Sequence, residues 1–298
     1  MEEEFIATST DEGIRLDKFL QQHISSLSRT KISRLINEKK VKVGTQTKKP
    51  SYLLKTHDRI VIRFPEEQKS TLLPYALKIT VIYEDDDILV IDKPAGISVH
   101  PPREGLHNTL VNALIYMGKT LSRVSLDRPG IVHRLDKETS GAMVIAKNNA
   151  SHYALIEQFR VRRIKKEYAA ICWGKFTKDQ LTLDVPIARD TKNRLKMKVS
   201  FVAAKNAQTE FHIAKALEEA TLLRIHLHTG RMHQIRVHLK FLEHPIVGDT
   251  KYGIRDGYAN LFLHAHRLGL YHPVTGEFLE FTSSLPQWFG DFIKTHTV

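Results

Sequence analysis

The hydrophobic pattern of the chain changes character near residue 65, and this break constrains the fold more than any other feature. Before it, Ile14, Leu16, Phe19 and Leu20 recur at helical spacing, and Ile24 extends the stripe. Ser28 stands where it can cap a second helix. The buried stripe of that helix is Ile32, Leu35 and Ile36, and its wet side carries Arg29, Lys31 and Arg34. Val41 and Val43 then alternate with lysines, and Ile60, Ile62 and Phe64 alternate with Arg59, Val61 and Arg63, which is the strand period. The pattern predicts a tail over 1–13 and a module of two short helices followed by short strands over 14–64. The polar stretch from Pro65 to Thr71 predicts a linker over 65–74.

After the break, strands dominate. Ile79–Tyr83 and Ile88–Ile91 are apolar, β-branched runs divided by the turn Glu84-Asp85-Asp86-Asp87. Thr109–Met117 and Ser151–Val161 have helical period, and Ala142–Ala146 reads as a buried strand. Strands are expected at Glu167–Cys172, Gln208–Ala214 and Leu222–His228, and a helix at Arg231–Leu242 with Ile235, Leu239 and Leu242 aligned. No internal repeat is visible, and 75–298 is expected to form one α+β domain.

Charge narrows the partner. Lysine and arginine number 45 against 33 acidic residues, a net charge of +12. Eleven basic residues fall between Arg29 and Arg63, where only Glu38 and Asp58 oppose them in sequence. Further clusters are Arg160, Arg162, Arg163, Lys165 and Lys166, and Arg189, Lys192, Arg194, Lys196 and Lys198. A single cluster is as readily a solvated face; three in one basic chain point to a phosphate backbone. The lone cysteine, Cys172, excludes an internal disulfide framework or a cysteine-based zinc site. No apolar run is long enough to span a membrane, and the acidic start at Glu2-Glu3-Glu4 is unlike a leader, so a cytoplasmic protein is expected.

The chemistry concentrates in Gly130-Ile-Val-His-Arg-Leu-Asp-Lys-Glu-Thr-Ser-Gly141, a polar, glycine-bounded loop that feeds the apolar strand at Ala142–Ala146. Taken alone, Asp136 in such a loop is more often a turn-former or an ion-pair partner than a nucleophile. The order His-Arg-Leu-Asp is not the His-Arg-Asp of a kinase catalytic loop, and no Asp-Phe-Gly follows. Neither a Gly-x-Gly-x-x-Gly nor a phosphate loop occurs, so no small-molecule cofactor is expected. His228, His233, His238 and His244 cluster in sequence, but no His-Glu-x-x-His pair exists and no metal site is expected.

His133-Arg-Leu-Asp-Lys-Glu-Thr-Ser-Gly141 resembles the signature of the RluA family of pseudouridine synthases. Three further blocks agree in the same order: Asp92-Lys93-Pro94-Ala95-Gly96 with Val99-His100-Pro101; Lys165-Lys166-Glu167-Tyr168; and Thr229-Gly230-Arg231-Met232-His233-Gln234-Ile235-Arg236. Asp92 departs from the Asn usual in the first block. Residues 14–64 are similar to the alpha-L RNA-binding domain named after ribosomal protein S4, with Glu38-Lys39 in place of a usual Gly. The resemblance extends over nearly the whole chain and is nearest the RluC/RluD type, which modifies large-subunit ribosomal RNA.

The resemblance implies an α+β fold, with a mixed or antiparallel catalytic sheet behind a small RNA-binding domain. It implies that Asp136 is the catalytic residue, that Arg236 pairs with it, and that Tyr168 packs against the target base. Arg134 would occupy the space vacated when the uridine flips out, and His133 would either position the nucleotide or pack in the core. Arg29, Lys31, Arg34, Lys39 and Lys42 are the expected RNA contacts of the first module. The expected partner is ribosomal RNA or a pre-ribosomal particle, met by a monomer. Two other classes stay open: a non-catalytic RNA-binding assembly factor, and a hydrolase with an aspartate nucleophile, for which a metal or phosphate loop is not found.

Overall fold

The structure, a computed structural model, describes residues 2–24, 27, 29–64, 72–101 and 107–297. Ser28, the side chain of Lys31 and residues 65–71 of the expected linker lie outside the described residues. The chain divides into two compact units, Met1–Lys69 and Ser70–Val298.

The first unit contains β1 (Glu2–Ile6), α1 (Leu16–His23), α2 (Arg29–Asn37), β2 (Val41–Val43) and β3 (Arg59–Arg63). Its sheet runs β1-β3-β2, antiparallel throughout. Leu16, Phe19, Leu20, Ile32, Ile36, Val41, Ile60 and Ile62 are buried together, as the two periodicities require. The expected tail over 1–13 is corrected: residues 2–6 form an edge strand along the whole of β3. Its acidic residues hide the strand signal from a hydropathy scan. They hold it in place by bonding Arg63 from Glu2 and Arg59 from Glu4, while Phe5 packs edge-on to Phe19 at 6.3 Å.

The second unit is built on a sheet with order β4-β5-β6-β13-β7-β12-β11-β8, and β14 also pairs with β13. These strands are β4 (Thr80–Glu84), β5 (Ile88–Lys93), β6 (Ser140–Ala146), β7 (Lys165–Trp173), β8 (Gln180–Asp184), β11 (Gln208–Ala216), β12 (Ala220–Leu227), β13 (Leu263–Tyr271) and β14 (Phe278–Thr282). A separate two-stranded ribbon joins β9 (Ile187–Arg189) and β10 (Met197–Val199). The helices are α3 (Leu110–Tyr116), α4 (Asn149–Arg160), α5 (Gln234–Phe241) and α6 (Gln287–Thr295). Asn148 caps α4 by accepting the Ser151 N–H at 2.9 Å.

All pairings in the large sheet are antiparallel except β6 with β13. This short parallel junction positions the site. Ala265 on β13 lies opposite Gly141 on one side and Tyr168 on the other. Gly141 has φ +115°, and a Cβ there would sit 2.3 Å from the Ala265 carbonyl oxygen, so only glycine permits the two strands to meet. β6 is buried along its whole length, as expected for a continuous apolar run. β13, the central strand, was not anticipated from sequence. A bulge between Ala265 and Arg267 breaks its alternation and conceals the strand period.

Candidate active site

The loop carrying Asp136 is held from beneath. Leu135 is buried in the core, and the Lys137 carbonyl accepts the Gly96 N–H at 2.9 Å and the Lys93 ammonium at 3.3 Å. Lys93 is fully buried and also donates to the Pro94 and Ile97 carbonyls at 2.8 and 3.0 Å. Burial pulls this lysine down to about 7, against the opposing pull of Asp136, Glu138 and Asp92. The block around Lys93 and the block around Asp136, well separated in sequence, are thus stitched together through one carbonyl.

Asp136 stands with its side chain 17% exposed at a cleft of about 900 Å³. Its Oδ2 is 3.6 Å from Arg236 Nη1 and 3.8 Å from His233 Nε2. Arg236 comes from α5, which starts at Gln234, three residues later than its periodicity suggests, because His233 takes a left-handed conformation with φ 56°. The helix is buried on both sides of its apolar stripe, so Arg236 is only 2% exposed.

The expected Arg236–Asp136 pair is part of a larger arrangement. Arg236 makes its bidentate contact with Asp249, donating from Nε at 2.8 Å and Nη2 at 2.7 Å. Nη1 reaches Glu138 at 3.2 Å. Burial disfavours the guanidinium charge, but the hydrogen bonds and charge of Asp249, then Asp136 and Glu138, outweigh it and hold the group above its ordinary value. The buried Asp249 carboxyl is held below its ordinary value by Arg236 in spite of its desolvation. Asp249 also accepts the Lys251 and Tyr252 N–H groups, fixing the turn that carries Tyr252.

Tyr252 links this turn to His233. Its oxygen accepts the Met197 N–H at 2.7 Å, which leaves the hydroxyl to donate to His233 Nδ1, also at 2.7 Å. That assignment puts the ring proton on Nε2, the atom facing Asp136. Burial lowers the His233 pKa, with Asp136 opposing, so the ring is neutral at pH 7.

Tyr168, on β7, packs between the two halves of the core and lines the cleft. Burial first, and the charge of Asp136 second, push its phenol upward, so it stays protonated at neutral pH. Arg134 is an exposed wall of the same cleft. His133 behaves differently. Its ring stacks on Phe159 at 4.7 Å, and Nε2 accepts the Val144 N–H at 3.1 Å. Burial, aided by the charge of Lys166, lowers it to about 3. Of the two roles open to His133, these contacts favour packing over holding a nucleotide.

Asp136, Tyr168, Arg236 and Arg134 therefore converge on one cleft. Sequence reasoning missed Asp249 and Glu138, and the position of Glu138 two residues after Asp136 was the available signal. The cleft takes Arg160, Arg162, Lys165 and Lys166 from the second basic cluster, whereas none of Arg189–Lys198 lines it. That third cluster lies around the β9–β10 ribbon instead. The histidine cluster does not converge: His238 bonds Thr209 and the Val185 carbonyl, His244 the Trp173 carbonyl, and His228 Glu210.

The basic residues of the first unit are not equivalent. Arg29 donates twice to Asp17, at 2.9 and 3.0 Å, and Arg15 binds the same carboxylate. Asp17 is 2% exposed, so Arg29 ties α2 to α1. Arg34 pairs with Glu38 at 2.7 Å. To the two acids within this basic stretch, folding adds Asp17, Glu2 and Glu4 from outside it. Lys39 and Lys42 are exposed and, among the described residues, have no carboxylate within 4 Å. Lys39 holds φ 60°, the conformation that its usual glycine would supply.

Among the described residues, no helix is long and apolar enough to cross a membrane. The family model for RNA pseudouridylate synthase matches residues 87–241, and the S4 domain model matches 14–60. An uncharacterized RNA pseudouridine synthase of Aquifex aeolicus is 42% identical, over 92% of this chain and 91% of its own. A protein of Zymomonas mobilis named ribosomal large subunit pseudouridine synthase D is 36% identical, over 94% of this chain and 93% of its own. Among solved structures, human RNA pseudouridylate synthase domain containing 1 matches with TM-score 0.58 and 27% identity, over 70% of this chain and 83% of that one. By these matches over nearly its whole length, the chain belongs to the RNA pseudouridylate synthase family, an isomerase carrying an amino-terminal S4 domain.

Proposed function

We propose that this enzyme converts specific uridines of large-subunit ribosomal RNA to pseudouridine, acting in the cytoplasm as a monomer, with Asp136 as the nucleophile. The reaction breaks the N1–C1′ bond of uridine, turns the base and forms a C5–C1′ bond, while the C5 hydrogen leaves and N1 gains a proton. It is redox-neutral. The observation that carries the reading is a half-buried carboxylate at the base of a cationic cleft, with the fixed guanidinium of Arg236 3.6 Å away. A carboxylate with an accessible oxygen can act as a nucleophile toward the uracil ring or the anomeric carbon. The ribosomal substrate is supported by relatives whose names specify the large subunit.

Each remaining residue has a role in this reading. Tyr168, protonated beside Asp136, offers a flat surface to the base and a phenol that can donate a proton. His233 presents an N–H toward the carboxylate. Arg134, exposed on the wall, fills the gap left by the extruded uridine. Lys39 and Lys42 contact RNA from the S4 domain, with Arg29 and Arg34 contributing charge while bound to Asp17 and Glu38.

Asp136→Asn preserves shape and removes the nucleophile. It is expected to abolish tritium release from [5-³H]uridine-labelled ribosomal RNA and to leave RNA affinity within a few-fold. Retained turnover would overturn the assignment. Asp136→Asn that is silent in cells while charge reversal at Arg29 and Arg34 is not would instead favour a purely RNA-binding role.

A further inference from the structure

Lys166 is a half-buried ammonium that the chemistry above does not use. On β7 it is two residues from Tyr168, so both side chains project from the same face of the strand, about 6.6 Å apart along it. Its Nζ lies over the turn at Gly230, 3.5 Å from where a Cβ on that residue would stand. Both residues line the cleft.

Several of the charged residues near the cleft have counter-charges. Glu167 faces Arg224, His226 and Arg267, Arg160 pairs with Glu157, and Arg236 binds Asp249. Among the described residues the Lys166 side chain has no hydrogen bond and no ion pair, and the charge that acts on it, that of Arg162, is cationic. Burial, followed by the charge of Arg162, lowers the lysine to about 8. Arg162 itself holds φ 59° just beyond the end of α4, a conformation that favours glycine, so the backbone accepts strain there with a guanidinium attached. A desolvated cation without a partner is costly unless a ligand supplies the anion.

We propose that Lys166 is the phosphate anchor of the target nucleotide: it binds a backbone phosphate of the RNA strand whose base enters the cleft against Tyr168. Resting on the proposed reaction, this deepens it by assigning the backbone contact. The strand geometry supports it, since one two-residue step separates Lys166 from Tyr168, a span of the size that divides base from phosphate within a nucleotide. A charged hydrogen bond to phosphate also neutralises one charge and releases counterions, which gives the site a salt signature.

The test uses the full chain, large-subunit ribosomal RNA transcript labelled with [5-³H]uridine, and the variants Lys166→Gln and Lys166→Arg, with Lys294→Gln on α6 as a control. Lys166→Gln is expected to raise KM about 10-fold at about 0.1 M salt, with kcat within about two-fold. It should also reduce the slope of log Kd against log salt by about one. Lys166→Arg should restore both, and Lys294→Gln should change neither. Unchanged KM and slope in Lys166→Gln, or a fall in kcat at unchanged slope, would overturn the proposal. The slope is measured as well for Asp136→Asn and for the Asp136→Asn/Lys166→Gln double variant. If the wild-type chain releases no tritium, the proposed reaction fails, and the slope difference between these two proteins still decides the phosphate site.

Discussion

Arg236 turns its bidentate face to Asp249, 2.7 and 2.8 Å away, and leaves only Nη1 for Asp136 at 3.6 Å. The guanidinium beside the proposed nucleophile is therefore fixed by a different carboxylate. A dedicated Arg–Asp136 pair with two short bonds would occupy both oxygens of the proposed nucleophile. Clamped by Asp249, Arg236 supplies charge without covering both oxygens.

Asp249→Asn should therefore slow catalysis without touching substrate. The expected loss in kcat is about 10- to 100-fold, with KM within a few-fold, because Arg236 is free to swing onto Asp136 or Glu138. Stability should fall by about 3 kcal/mol, the lower end for breaking a buried pair, since Glu138 still compensates Arg236. Urea unfolding alongside tritium release separates the two effects; an unchanged kcat would mean that Asp249 only holds the fold.

His133 should behave as a packing residue with a pH signature. Its pKa falls from 6.5 to about 3 on folding, so the unfolded chain binds the extra proton first as pH drops. The contribution of the neutral ring to stability is complete above about pH 6.5 and is lost as pH falls toward about 3. His133→Gln retains an acceptor for the Val144 N–H and removes this titration. Denaturation midpoints of the variant should decline less than wild type between pH 6.5 and 4.5, with kcat within a few-fold. A 100-fold loss of turnover would place His133 in the chemistry.

Gly141→Ala tests the strand junction. The added Cβ would meet Ala265 backbone at 2.3 Å on a residue with φ +115°, and backbone cannot move aside as a side chain can. A cost of roughly 2–4 kcal/mol is expected, read as a lower unfolding midpoint. Since Ala265 also registers Tyr168, surviving folded protein should show impaired turnover.

The S4 domain should separate the proposed RNA contacts from structural cations. Lys39→Gln and Lys42→Gln should weaken RNA binding and each reduce the salt slope by about one, with little effect on stability. Arg29→Ala removes one of two partners of the buried Asp17 and should cost about 1 kcal/mol of stability. If Arg29→Ala shifted only the salt slope, its bond to Asp17 would be dispensable.

The local order of residues was enough to reveal most elements of both units and the loop of Asp136. Helical and strand periods are properties of neighbouring residues, and so were legible for α1, α2, β3, β5 and β6 without any tertiary contact. The four ordered motifs likewise indicated the family by resemblance. Contacts distant in sequence decided the rest. β1 is a strand because it pairs along its whole length with β3, where Glu2 and Glu4 also meet Arg63 and Arg59, and β13 lies at the centre of the sheet despite a bulge that erases its alternation. Periodicity placed Arg236 off the apolar stripe, where a surface residue is the ordinary reading. Only the packed fold buries it and brings Asp249, thirteen positions later, within 2.7 Å. The chemistry-bearing residue types are written along the chain; which carboxylate holds the guanidinium, and which faces the cleft, is determined where strands and helices distant in sequence pack together and exclude water.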